Sequence, residues 1–219
     1  MSFAQNLAVL VVDLQADFTS AHQGALAVAG ADQAYLETVQ EATRRLKGLG
    51  LPIYATQDWH PPGHVSFASS HPGRALLESL ELPDGRSQVL WPDHAVQHSP
   101  GARLLQDPAL LTAVVQKGTH PDYDSYSGFQ DDGGGKTGLD EVLRLSGVDT
   151  LVCYGLATDY CVKFTVLDAL AAGFKVIVIQ DLCRGVDPEG SEAAWQEMAQ
   201  AGADLWPGLD LEKLGPPPA

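Results

Sequence analysis

The sequence predicts an α/β fold of three layers: a doubly wound, mostly parallel sheet flanked by helices. Two observations carry that expectation. Short apolar runs of strand length alternate with stretches of helical periodicity, and several of the runs close on residues able to do chemistry. Residues 7–14, LAVLVVDL, are almost continuously apolar, the mark of a strand covered on both faces, and Asp13 lies at the end of the run. Over 31–49, Tyr35, Val39, Ala42 and Leu46 trace one face of an amphipathic helix that Gly48 and Gly50 close, and a second strand is expected at 52–56. Strand, helix, strand is the parallel crossover unit.

Residues 59–112 are rich in Pro, His, Gly and Ser with little periodicity, a long irregular excursion of the kind that carries function inside a compact domain. A third strand is expected at 113–116, ending at Lys117, and a helix at 139–145. Gly133, Gly134 and Gly135 follow no strand and have no neighbouring GK[ST] pattern, so they read as a flexible loop and not as a phosphate cradle. Leu151 to Tyr154 form a buried strand, and Phe164, Leu167, Leu170 and Ala171 then recur at helical spacing before Gly173. Thr158 is the expected N-cap, which would put Cys161 at the third helical position. A strand over 176–180 and a helix over 188–200 complete the alternation. One domain over 1–214 is expected, with a frayed Pro-rich tail at 215–219.

With 13 basic and 28 acidic residues the net charge is −15, which argues against nucleic acid or an anionic membrane as partner. The amino-terminal stretch lacks a basic flank and runs straight into a strand, so neither a signal peptide nor a transmembrane span is expected and a cytoplasmic location is. The three cysteines form no CxxC pair and suit reduced thiols. Nothing fixes the oligomeric state, and a homo-oligomer is allowed.

In a doubly wound sheet, sites form at the carboxyl ends of strands. Asp13, Asp58, Lys117 and the turn 156–161 all fall there. A thiol at a strand-to-helix switch meets unpaired amides and the positive end of the helix dipole, which favour the thiolate below its usual pKa of about 8.5. The contrary reading of Cys161 is a small, inert, buried side chain. Asp13 can take the thiol proton and pass it to a departing amine, Lys117 can hold Asp13 and favour negative charge at sulfur, and the amides of Ala157 and Cys161 can form an oxyanion hole. Asp58, His60 and His64 at short spacing, with His94 from the same excursion, suit a divalent metal; zinc, iron and manganese fit equally on spacing. His71, His98 and His120 lack such company and are expected to face solvent. Phe18, Trp91 and Tyr126 could line a pocket for a flat substrate.

These residues resemble a family, the nicotinamidases within the isochorismatase-like cysteine hydrolases. The resemblance rests on VVDLQADF with Asp13 and Phe18, DWHPPGHVSF with Asp58, His60 and His64, WPDHAVQ with His94, KGTHPDYDSYSGF with Lys117 and Tyr126, and GLATDYCVKFTVLDAL with Cys161. The segments span nearly the whole chain. The resemblance implies the isochorismatase-like hydrolase fold, a triad of Asp13, Lys117 and Cys161, and a metal on Asp58, His60 and His94, zinc foremost. It also implies His64 or Ser66 in or just outside the first metal shell, and a cis peptide between Leu156 and Ala157. The activity it implies is hydrolysis of nicotinamide to nicotinate and ammonia in NAD salvage, with pyrazinamide as a further substrate. Three alternatives stay open at this point. An isochorismate-type hydrolase would generally lack the cysteine and the metal residues, a carbamoyl-amide hydrolase would usually lack the metal residues, and a non-catalytic binding domain of the same fold would turn over no amide.

Overall fold

The structure, a computed structural model, describes residues 6–214, so the tail expected at 215–219 lies outside the described residues. In chain order the elements are β1 (Leu7–Val12), α1 (Gln33–Gly48), β2 (Ile53–Asp58), β3 (Ser79–Glu81), β4 (Ser87–Val89), β5 (Ala113–Lys117) and α2 (Leu139–Leu145). They continue as β6 (Thr150–Leu156), α3 (Lys163–Ala171), β7 (Lys175–Arg184), α4 (Pro188–Ala201) and β8 (Asp204–Trp206). Six strands form one sheet in the order β5-β2-β1-β6-β7-β8, every neighbouring pair parallel.

The central strand shows why. Every residue of β1 is buried, as the unbroken apolar run requires, and each large aliphatic side chain so covered contributes about 1.5–3 kcal/mol. Leu10 pairs with Tyr54 and Cys153 while Val11 pairs with Tyr154, so the two tyrosines project from opposite faces of the sheet. The Tyr154 hydroxyl meets Thr43 of α1 at 2.8 Å, and the Tyr54 hydroxyl donates to Ser146, at the end of α2, at 2.8 Å. Helices therefore cover both faces, giving three layers. In α1 the Asp32 side chain accepts from the Tyr35 amide at 2.9 Å, which sets the helix start two residues later than the periodicity suggested. Among the described residues no helix is long and apolar enough to cross a membrane.

Several boundaries differ from the sequence reading. Strands β2 and β5 reach Asp58 and Lys117, which are register partners at the sheet's carboxyl edge. Strand β7 runs past residue 180 to Arg184, because its pairing with β6 shifts between Cys153 and Gly155 and then resumes. Gly155 makes this shift with φ 136°, and a Cβ there would overlap the Val12 carbonyl, so the position admits only glycine. The β3–β4 hairpin and β8 were not foreseen; each strand has three residues, too few for an alternation to register. The chain runs from β1 outward through β2 to β5 and, on the other side, through β6 to β8. The crevice where the order reverses lies at the carboxyl ends of β1 and β6.

Candidate active site

At the end of β1 the chain turns through Asp13 in the left-handed region, φ 45°, a conformation that costs energy for a residue with a side chain. Thr56 of β2 secures it. Its hydroxyl accepts from the Asp13 amide at 3.1 Å and donates to Asp13 Oδ1 at 2.7 Å. Asp13 Oδ2 is 2.9 Å from Lys117 Nζ yet takes no well-directed hydrogen bond, which leaves a lone pair for the thiol. Lys117, fully enclosed, places Nζ 2.6 Å from Asp58 Oδ1, 2.7 Å from the Ser125 carbonyl and 3.5 Å from Cys161 Sγ. An oxygen from each of Asp13 and Asp58 and the Cys161 sulfur all lie within 4.8 Å of one another.

The nucleophile turn corrects the sequence reading. The Leu156–Ala157 peptide is cis, as the resemblance implied, and Ala157, in extended conformation, takes the N-cap position with no side-chain cap. The Ala157 carbonyl accepts from Tyr160 N at 3.1 Å and from Val162 N at 3.0 Å, so the first turn, Thr158–Val162, is π-helical and one residue wider than an α-turn. Thr158 is thus inside the helix and not its cap, and Cys161 is the fourth residue of the turn instead of the third.

Electrostatics corrects a second point. Burial pushes the Cys161 thiol well above its usual range; Lys117 opposes that shift without overcoming it, and Asp13 and Asp58 reinforce it. That direction is opposite to the one expected from the helix dipole. Burial also raises Asp13, against the pull of Lys117. Lys117 itself is raised well above the usual lysine value, because Asp13 and Asp58 outweigh its burial. A thiol and a carboxylate whose proton affinities are both raised by burial are a pair between which a proton can pass.

Next to this group, Asp58, His60 and His94 bring one donor atom each to within 4.8 Å of one another, all buried. Asp58 Oδ2 lies 3.5 Å from His60 Nε2 and 3.9 Å from His94 Nε2. The other ring nitrogens are spent on carbonyls, His60 Nδ1 on Gly118 at 2.9 Å and His94 Nδ1 on Pro92 at 2.7 Å, so both Nε2 atoms keep free lone pairs turned to one point. Burial opposes charge on Asp58, but Lys117, His60 and His94 outweigh it and hold the carboxyl well below its ordinary range. These residues fit a divalent cation. His64 stacks on His60 at 4.2 Å and spends both nitrogens elsewhere, on Ser66 Oγ at 2.7 Å and the Tyr123 carbonyl at 3.2 Å. His98 and His120 are exposed, but His71 is half-buried, its Nε2 2.7 Å from the Val65 carbonyl.

Phe18, Trp91 and Tyr126 line one cleft with Ala157 and Cys161, and the cleft opens to solvent. Trp91 Nε1 donates to the Tyr126 hydroxyl at 3.0 Å, locking two walls together. Sequence reasoning missed Leu26, Val28, Asp124, Tyr160 and Val186, which complete the lining. Tyr160 could have been found from its place beside Cys161; Leu26 and Val28 sit in a loop without periodicity and gave no signal. It also missed Asp159, whose carboxylate accepts from the Val186 and Asp187 amides, both at 2.9 Å, and so fixes that wall to the nucleophile turn.

Residues 7–207 match the family model described as the isochorismatase domain. A nicotinamidase of Escherichia coli is 49% identical over 214 residues, covering 94% of this chain and 97% of that protein. Among solved structures, a nicotinamidase/pyrazinamidase of Acinetobacter baumanii superposes with a TM-score of 0.82 at 42% identity, over 92% of this chain and 95% of that one. A pyrazinamidase of Pyrococcus horikoshii in complex with zinc gives 0.77 at 37% identity, over 92% and 98%.

Proposed function

This chain belongs to the isochorismatase-domain family, as an amide hydrolase of the nicotinamidase kind that converts nicotinamide to nicotinate and ammonia, and on that premise we propose how its own residues carry the reaction. Cys161 is the nucleophile, Asp13 the base and proton carrier, and Lys117 the cation that holds both. When the carboxamide carbon sits over sulfur, the thiol proton passes to Asp13 and sulfur adds to the carbonyl. The oxyanion that forms is held by the amides of Ala157 and Cys161, and Asp13 returns the proton to the departing nitrogen. Ammonia leaves a thioester on Cys161. Asp13 then deprotonates a water, whose attack releases nicotinate and restores the thiol. The observation that carries this reading is the convergence of Asp13, Asp58 and Cys161 on the one amine of Lys117.

Phe18, Trp91 and Tyr126 hold the ring, and Asp58, His60 and His94 hold a divalent metal, which when bound supplies an electrophilic point for the pyridine nitrogen. Two imidazoles and one carboxylate suit zinc, which we take as the ion; iron and manganese fit the same donors. His64 and Ser66, joined to each other, support the set from one shell out. We place the enzyme in the cytoplasm.

The test compares nicotinamide, pyrazinamide and benzamide on metal-loaded and metal-stripped protein. Benzamide has the shape but no ring nitrogen, so its kcat/KM should be lower by about 10³ or more, while pyrazinamide remains a substrate. Stripping the metal should narrow that gap. Equal rates for nicotinamide and benzamide on the loaded protein would refute the positioning role.

A further inference from the structure

We propose that Gln15 and Asp17 are positioning residues that hold Asp58 and His94, the two outer members of the metal set, in register with Asp13. The proposal rests on the reading that Asp58, His60 and His94 bind a divalent metal. Neither Gln15 nor Asp17 is needed to touch substrate. Both belong to the short segment that begins at Asp13, and the Gln15 amide is tied to the Asp13 carbonyl at 2.8 Å.

Gln15 is fully buried and its amide is fully used. Oε1 accepts from Asp58 N at 2.7 Å, and Nε2 donates to the Asp58 carbonyl at 2.9 Å and to the Ala102 carbonyl at 2.9 Å. One side chain thus grips both backbone polar groups of Asp58. With its backbone fixed, the carboxylate can divide its oxygens, Oδ1 to Lys117 and Oδ2 to the two imidazoles. Asp17 does the corresponding work at the other end. Its Oδ2 accepts from Ala95 N at 2.8 Å, immediately after His94, and Ala95 is held with φ 46°, a left-handed conformation that needs an outside restraint. Asp17 is itself wedged in place: its amide donates to the Gly101 carbonyl at 2.9 Å, Oδ1 accepts from Ala25 N at 3.3 Å, and a Cβ at Gly101 would overlap its carboxylate. Phe18, the next residue, lies 5.6 Å from the His94 ring. The segment therefore carries the catalytic base and is bonded to Asp58 and to Ala95, the residue after His94, so a shift of the base relative to the metal would break contacts at Asp58 and at Ala95 together.

The variants are Gln15→Met, which keeps the volume and removes three hydrogen bonds, and Asp17→Ala, which removes both carboxylate contacts, to Ala95 N and to Ala25 N. The readouts are the Zn²⁺ dissociation constant by competition with a chromophoric chelator, and the rate of iodoacetamide alkylation at Cys161 in metal-free protein, located by mass spectrometry. Each variant should bind Zn²⁺ about tenfold or more weakly, with the alkylation rate unchanged. If Gln15→Met does not fold, Asp17→Ala, at a half-buried position, decides alone. Folded variants with wild-type Zn²⁺ affinity overturn the proposal, as does a fall in alkylation in step with the loss of affinity, which would mark general loosening. Wild-type protein that leaves all the Zn²⁺ with the chelator overturns the metal reading itself.

Discussion

Asp58 gives Lys117 one carboxylate oxygen at 2.6 Å and turns the other toward His60 and His94, so a single side chain joins the buried lysine to the two imidazoles. Lys117→Met would leave Asp13 and Asp58 buried without their shared cation. Loss of one partner of a buried ion pair costs about 3–5 kcal/mol, and activity should vanish with it. In thermal unfolding, zinc should restore more stability to this variant than it adds to wild type, because it balances the charge left on Asp58. Equal gains from zinc would show that the two carboxylates do not share the lysine's charge.

Acyl transfer through sulfur requires Cys161, so Cys161→Ala should abolish ammonia release while far-ultraviolet circular dichroism and metal content stay unchanged. Cys153→Ala and Cys183→Ala should keep most activity, since both thiols are enclosed in the sheet away from the cleft. Substantial turnover by Cys161→Ala would end the thioester mechanism.

Asp13→Asn keeps the shape and removes the proton carrier; kcat should fall by roughly 10²–10⁴ and iodoacetamide should label Cys161 more slowly. Thr56→Val removes the hydroxyl that pins Asp13 at two points. A lost buried hydrogen bond costs about 1–3 kcal/mol, so kcat should drop by about tenfold or more with KM little changed. A Thr56→Val effect confined to KM would mean the hydroxyl shapes the pocket and not the base.

Asp159→Asn places an amide NH₂ against one of two backbone N–H groups and frees the Val186 wall from the nucleophile turn. KM for nicotinamide should rise by about tenfold, the equivalent of one lost hydrogen bond, and kcat should change less. Steady-state kinetics decide it; a fall in kcat at constant KM would assign Asp159 to the chemistry.

What the sequence disclosed follows from what patterns can record. The apolar run that closes on Asp13 marked the end of β1, because a strand covered on both faces is apolar along its length. Spacing offered Asp58, His60 and His64 with His94 as metal donors, the resemblance narrowed them to Asp58, His60 and His94, and the structure brings those three together beside Lys117. It could not show that the nucleophile turn is widened by one residue, since that depends on which amides reach the Ala157 carbonyl. Nor could it show that burial would raise the Cys161 thiol against the pull of Lys117, because burial depends on packing between elements distant in sequence. Gln15 and Asp17 carry no signal in the sequence, because their partners lie 43 and 78 positions away.

Lys117 terminates β5, and β5 is the outermost strand of the sheet, paired on one side only, with Val114 and Gln116 facing solvent. The amine on which the triad converges is thus carried by a strand whose outer edge has no neighbour in the sheet. Edge strands open more readily than central ones. The working lifetime of the catalyst on warming should therefore be governed by the peeling of β5, with activity lost while β1 and β6 still exchange their amide hydrogens slowly.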